Sequence, residues 1–183
     1  MLRDLTSIAE AARAFLLPHW YEWHDGWGPP APSMPSQWTC VRSSLFLTRV
    51  LRQCGFDATF QSGRPFGQAP HNVASGFGIF TTGGWVSHAW VEVRGSIIDI
   101  TADQFGHVSV YLNSTDDPAY RSTDRANCQL APTSSCVAAV DKVWAVWCES
   151  SDCGRPLTAS NSLKSDDRRG SRADIQGRSD ARR

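Results

Sequence analysis

Long apolar runs are missing from this sequence, and so is any excess of charge of one sign. No stretch approaches the roughly 20 apolar residues that a bilayer-spanning helix needs, so no partner role at a membrane is expected. The 18 lysines and arginines are matched by 18 aspartates and glutamates. No basic field therefore points to nucleic acid or to an anionic lipid surface. There is no internal repeat and no EF-hand loop. The six cysteines and five histidines contain neither a CxxC nor an HxxxH spacing, so neither a metal nor a cofactor is expected. The opening segment MLRDLTSIAEAARAFLLPHW lacks the long apolar core and small-residue cleavage site of a secretory signal. It reads as an amphipathic helix. The simplest placement is the cytoplasm, where Cys128, Cys136, Cys148 and Cys153 are expected as reduced thiols and not as a disulfide framework.

What is present suits one globular unit. The chain has 183 residues, 41% of them hydrophobic, and eight tryptophans, enough for a single core. From about Arg155 onward Ser, Asp, Arg and Gly dominate and large apolar residues are nearly absent. Such a segment cannot offset its ordering entropy by burial, so the domain is expected over residues 1–153 and a disordered polar tail over 154–183.

Hydrophobic periodicity outlines the elements. Leu5, Ile8, Ala9, Ala12, Phe15 and Leu16 recur at helical spacing, with Pro18 expected to close the helix. His19 to Pro35 reads as a loop rich in Trp, Gly and Pro. Val41, Leu45, Leu47, Val50 and Leu51 outline a second helix from near Thr39 to a terminating Gly55. A short strand is expected over Asp57 to Ser62. A long loop from Gly63 to Gly84 follows, with one strand near Phe77 to Phe80. Ala89, Val91 and Val93 then alternate with Trp90, Glu92 and Arg94, and Gly95-Ser96 turns the chain into Ile97-Ile98-Asp99-Ile100, a hairpin. Val108 to Leu112 extends the sheet; Val137 to Cys148 fits either a helix or a strand. A helix preceding an antiparallel sheet defines an α+β domain.

The chemistry lies in three residues. A catalytic thiol acts as thiolate, which a helix N-terminus and a neighbouring histidine both favour. Cys40 stands at the predicted start of the second helix, after the breaker-rich Pro32-Ser33-Met34-Pro35-Ser36, and faces the positive end of the helix dipole. Cys54 is at the wrong end of the same helix and reads as structural. His88 opens the first hairpin strand and Asp99 lies in its partner strand, close to opposite. A carboxylate there accepts the imidazole proton and fixes the ring. Taken singly, each residue has an ordinary alternative as buried thiol, strand histidine or turn aspartate. Yet Asp99 stands between Ile98 and Ile100, where a charge needs a partner. Trp90 and Glu92 share a strand face. His71 and His107 sit in loop-like contexts, while His19 and His24 lie among Trp20, Trp23 and Trp27, a cluster read chiefly as packing.

Ser87-His88-Ala89-Trp90-Val91-Glu92-Val93, then Gly95 and Asp99-Ile100-Thr101, resembles the His and Asp motifs of the transglutaminase-like superfamily. The run from Cys40 through Gly55 to Ala58 resembles that superfamily's nucleophile helix and following strand. Both are similar to the bacterial leader peptidases of lasso-peptide maturation. The likeness covers roughly Trp38 to Phe105, with Cys, His and Asp in the family's order. It implies a papain-like core, a nucleophile helix packed on an antiparallel sheet, and acyl-thioester chemistry on a Cys40–His88–Asp99 triad, with a peptide or protein as substrate. The oxyanion needs donors, and the Cys40 N–H is one. Gln37 is a second or else an exposed loop residue; Trp38 either walls the cleft or staples the helix.

The sequence also departs from the family. The usual Gln-Cys-Trp order is replaced by Gln37, Trp38, Thr39, Cys40. Thr101 to Phe105 stands in place of an Asp-Pro-Thr ending, so Asp103 competes with Asp99, though with a worse offset from His88. Among functions, thiol-dependent hydrolysis of a peptide or side-chain amide asks least of the protein, because water is the acceptor. Acyl transfer to an amine needs a second, water-excluding pocket. A non-catalytic peptide-binding module has no need to keep all three residues.

Overall fold

The computed structural model describes residues 4–65, 76–123 and 131–150. His71, Cys128, Cys153 and the expected tail over 154–183 lie outside the described residues. The first helix, α1, runs over Leu5–Trp27, opened by Asp4, whose Oδ1 accepts the Ser7 N–H at 2.7 Å. Here the structure corrects the sequence reading, because Pro18 lies inside the helix and His19 to Trp27 is helical, not loop. The buried stripe explains this: Leu16, Trp20 and Trp23 continue at helical spacing across the proline. An interior proline costs about 3 kcal/mol. Burial contributes about 1.5–3 kcal/mol for each large apolar side chain, and Trp20 and Trp23, the two beyond the proline, together offset that cost.

Helix α2 spans Cys40–Gln53. Its exit is a Schellman motif, with Phe56 N–H donating to Leu51 O and Gly55 N–H to Arg52 O, both at 3.0 Å. Gly55 takes φ 86° as the motif requires. Nothing lies within 4 Å of a Cβ placed there, so only the left-handed backbone resists a side chain. Gly55→Ala is expected to lower unfolding free energy by about 1–2 kcal/mol, read by urea denaturation. An unchanged midpoint would show the cap to be dispensable.

Strand β1 (Ala58–Gly63) is followed by β2 (Gly78–Thr81), β3 (Gly84–Val86), β4 (His88–Val93) and β5 (Ser96–Asp99). A short 3-10 turn over Ala102–Phe105 precedes β6 (Tyr111–Ser114) and β7 (Tyr120–Arg121), and α3 spans Ser134–Ser150. The strands form two antiparallel sheets, ordered β1-β4-β5-β6 and β3-β2-β7. This is an α+β architecture. The β4–β5 hairpin turns on Arg94 and Gly95, at φ 52° and 75°, with Val93 paired to Ser96. Two left-handed residues make the turn that matches strand twist, so it sits one residue earlier than the expected Gly95-Ser96. The last strand of the larger sheet begins at Tyr111 and not at Val108. The 3-10 turn ends at Gly106, φ 86°, and the chain bends over residues 107–110 before pairing begins. Strand β3 starts at Gly84, the last residue of the expected loop, and runs on to Val86. Between helix and strand for the final segment, α3 is decided by Val140, Val143 and Trp147, buried at helical spacing.

Alternation divides the larger sheet between two cores. Val91, Val93 and Ile98 face the helices, packing with Ala58, Phe46, Leu47, Val50, Leu51 and Trp147. Trp90 and Ile97 point the other way, against Ile79 and Tyr120 of the smaller sheet. Among the described residues no helix is long and apolar enough to cross a membrane.

Candidate active site

Cys40 is the first residue of α2 and is half-buried. Its N–H is among those at a helix start that have no acceptor within the helix. The helix start is held by a buried chain of hydrogen bonds. Trp20 Nε1 donates to Ser43 Oγ at 2.9 Å, Ser43 Oγ to Thr39 Oγ1 at 3.1 Å, and Thr39 Oγ1 to the Ser36 carbonyl at 2.8 Å. Each hydroxyl both donates and accepts, so this desolvated network is satisfied link by link. One turn further along, Ser44 Oγ donates to the Ala89 carbonyl at 2.9 Å. That bond ties the helix carrying Cys40 to the strand carrying His88, one residue from the imidazole.

Gln37 and Trp38 precede Cys40 by three and two residues. The Gln37 Oε1 accepts from Ser33 N–H at 2.6 Å and Ser33 Oγ at 3.0 Å, which folds its side chain back onto the preceding loop. Trp38 is 50% exposed and holds φ 64°. A bulky residue in the left-handed region carries strain of order 1–3 kcal/mol, which its surroundings must over-determine. One such restraint is Gln104, whose Oε1 accepts the Trp38 N–H at 3.4 Å while its Nε2 donates to Thr101 O at 2.8 Å.

His88 and Asp99 meet on the sheet face turned away from the helices. His88 Nε2 lies 2.6 Å from Asp99 Oδ2, and both side chains have 0% exposure. The remaining carboxylate capacity is also filled: Thr101 N–H and Oγ1 donate to Oδ1 at 2.8 and 2.9 Å, and Tyr120 Oη donates to Oδ2 at 3.0 Å. Phe105 meets the imidazole edge-on at 4.8 Å between centroids, and the Trp90 ring lies at 6.3 Å. His88 Nδ1 is buried and has no hydrogen-bond partner among the described residues.

Burial disfavours the charged imidazole. The Asp99 carboxylate opposes this by charge and hydrogen bonding, with Cys40 adding to it, and together they push His88 up to about 10. Burial likewise raises the Asp99 carboxyl, but the His88 charge and the Thr101 donors reverse this and hold it below the usual carboxylate range. The two residues form a buried ion pair at neutral pH. With Nε2 committed to Asp99, Nδ1 is the nitrogen left for Cys40, whose sulfur acts on the ring through space, short of a regular hydrogen bond.

Asp103, the competing acid, is engaged elsewhere. Its carboxylate takes Arg13 in two contacts of 2.6 and 3.2 Å, and the same guanidinium donates to the Ile100 carbonyl. His19 pairs with Glu22 at 3.0 Å, and His107 packs on Tyr111 at 4.9 Å. His24 is buried and stacked on Trp27 at 5.1 Å, and burial lowers its basicity. Arg42 lies over Trp23 and Trp27 at 5.0 and 4.8 Å, so that aromatic cluster is packed. Trp90 Nε1 donates to Glu92 Oε1 at 3.2 Å on their shared face. Cys54 packs against the main core.

Sequence reasoning missed Thr101, Gln104, Ser44 and Tyr120. Thr101, two residues beyond Asp99, carried a local signal, since a short polar residue after an aspartate commonly bonds it. Tyr120 carried none. No family model, curated protein or solved structure matches the chain.

Proposed function

We propose that this protein is a thiol-dependent hydrolase with a papain-like, transglutaminase-like core, opening a peptide or side-chain amide through an acyl-thioester on Cys40. The observation that carries the reading is the His88 imidazole itself. One nitrogen is anchored to a buried carboxylate at 2.6 Å; the other is unoccupied, with a helix-start cysteine beside it. Supporting the core assignment, the cysteine heads a helix packed on the antiparallel sheet that carries the histidine and the acid.

In this reading Cys40 Sγ attacks the carbonyl carbon and the π pair moves onto oxygen, next to the Cys40 N–H. His88 passes its Nδ1 proton to the leaving nitrogen as the C–N bond breaks. Water then attacks the thioester as His88 Nδ1 takes the water's proton, and the C–S bond breaks with its electron pair returning to Cys40 Sγ, releasing the acid and restoring the thiolate beside the imidazolium. Asp99 keeps the ring oriented through both steps. Trp38, exposed and two residues from the sulfur, forms one wall for the substrate chain.

The test is alkylation of Cys40 by iodoacetamide across pH 5 to 9, located by mass spectrometry, in wild type and His88→Ala. Wild-type Cys40 is expected to react at pH 6 at least about tenfold faster than the variant. Equal rates would remove the activated-thiol reading and favour a binding module. With activation established, peptide libraries with and without an added amine separate hydrolysis from acyl transfer.

A further inference from the structure

Tyr120 reaches the site from the other sheet. It lies in β7, is 6% exposed, and pairs through its backbone with Ile79. Its hydroxyl donates to Asp99 Oδ2 at 3.0 Å, the same oxygen that receives His88 Nε2–H at 2.6 Å. The ring is locked from several sides: stacked on Tyr111 at 5.6 Å, edge-on to Trp90 at 5.3 Å, and tilted to His88 at 6.1 Å. A ring held this way has no freedom to turn its hydroxyl elsewhere, and the carboxylate oxygen is where it ends.

We propose that Tyr120 is a positioning residue for the Cys40–His88–Asp99 group, fixing the Asp99 carboxylate and, by sharing Oδ2, setting how firmly Asp99 holds His88. This rests on the thiol-hydrolase reading above. Tyr120 touches neither sulfur nor substrate and acts through the acid. The groups around it that bear on the charge are Asp99 of β5, His88 of β4, Tyr111 of β6 and Asp117, which accepts the Tyr111 hydroxyl at 2.6 Å; Cys40 of α2 acts on His88. Burial first, and then the Asp99 charge, raise the Tyr120 hydroxyl above its ordinary value, so it stays a donor. Removing the hydroxyl takes one of four donors from a buried carboxylate, which then accepts a proton at higher pH. Once Asp99 is neutral, His88 loses its counter-charge and Cys40 loses the imidazolium.

Tyr120→Phe tests this, with Tyr111→Phe as a control that keeps Asp99's donors. The lower midpoint of the Cys40 alkylation profile, followed from pH 3 upward, is expected to move up by about one pH unit in Tyr120→Phe, with the rate on the acid side of the wild-type midpoint falling on the order of tenfold and the rate at pH 7 nearly unchanged. Tyr111→Phe should leave the midpoint in place. A Tyr120→Phe profile superimposed on the wild type, or one lowered evenly at every pH, overturns the proposal while His88 dependence in the wild type still stands. If His88→Ala alkylates like the wild type, the thiol reading fails and the role of Tyr120 fails with it. Should Tyr120→Phe not fold, proton exchange in the wild type decides. The Tyr120 hydroxyl should exchange slowly and lie close to the His88 Nε2 proton. Exchange as fast as that of Tyr21, 55% exposed, overturns the proposal.

Discussion

Asp99→Ala is expected to lower unfolding free energy by about 3–5 kcal/mol, the usual cost of leaving one member of a buried ion pair alone. It should also erase the dependence of Cys40 alkylation on His88. The argument starts from the four donors around the carboxylate: His88, the Thr101 amide and hydroxyl, and Tyr120. Alanine orphans all of them in a site with no exposure on either partner. The loss should depend on pH, with a definite sign. His88 is raised from 6.5 to about 10, so its contribution is complete below pH 6.5 and disappears as pH rises toward 10. Asp99 is lowered from 3.8, so its contribution is complete above that pH and disappears as pH falls through the lower folded value. The wild type should therefore gain most from the pair between about pH 4 and 6.5, and its advantage over Asp99→Ala should shrink by pH 9.5. Urea titrations at pH 5.5 and 9.5 measure both differences. A stability gap of equal size at the two pH values would mean that His88 and Asp99 are not paired as charges.

Gly63→Ala should be severely damaging for a change of a single methyl group. A Cβ at this position meets only main chain: Gly78 N at 2.2 Å, Arg121 O at 2.4 Å and Gly78 Cα at 2.6 Å. Side chains swing aside, but two strands of another sheet cannot move without breaking their own pairing. Overpacking costs 1–3 kcal/mol where side chains yield, so roughly 3 kcal/mol or more is expected here. Gly63 also pairs with His88 across the β1–β4 ladder, and Arg121 follows Tyr120. Parting the sheets there would draw Tyr120 from Asp99, so the alkylation profile should shift with the stability loss. A variant as stable as wild type by thermal denaturation would show that the two sheets are not in the close contact described. Gly55→Ala is the contrast: nothing crowds that site, and backbone conformation alone sets its smaller cost.

Much of the site was legible because its signals are local. A helix that starts at Cys40 and ends at Gly55 is written in breakers, apolar spacing and a left-handed cap within one stretch of chain. The β4–β5 hairpin is written in strict alternation around a two-residue turn, and alternation alone puts His88, Trp90 and Glu92 on one face. Asp99, bounded by two isoleucines, could be picked out as a charge in need of a partner. The misreadings also have local causes. Pro18 is a helix breaker in isolation, and the Trp, Gly and Pro content that follows is that of a loop; only burial of Trp20 and Trp23 in the core makes the segment helical.

By itself, then, the sequence determined the α+β class, the helix that presents Cys40 and the strands that present His88 and Asp99. Each of these follows from backbone propensity and from side-chain periods of two and 3.6 residues. Only the tertiary structure decided between the two acids. Arg13, ninety positions before Asp103, neutralises that carboxylate, leaving Asp99 to His88. Only the tertiary structure brought Tyr120 from a second sheet onto the same carboxylate oxygen, and Ser44 onto the strand beside His88. These contacts join residues far apart along the chain, and no local spacing encodes them. They form because burying the sheets and helices around shared apolar faces leaves each buried charge and hydroxyl with only the partners that packing brings within reach.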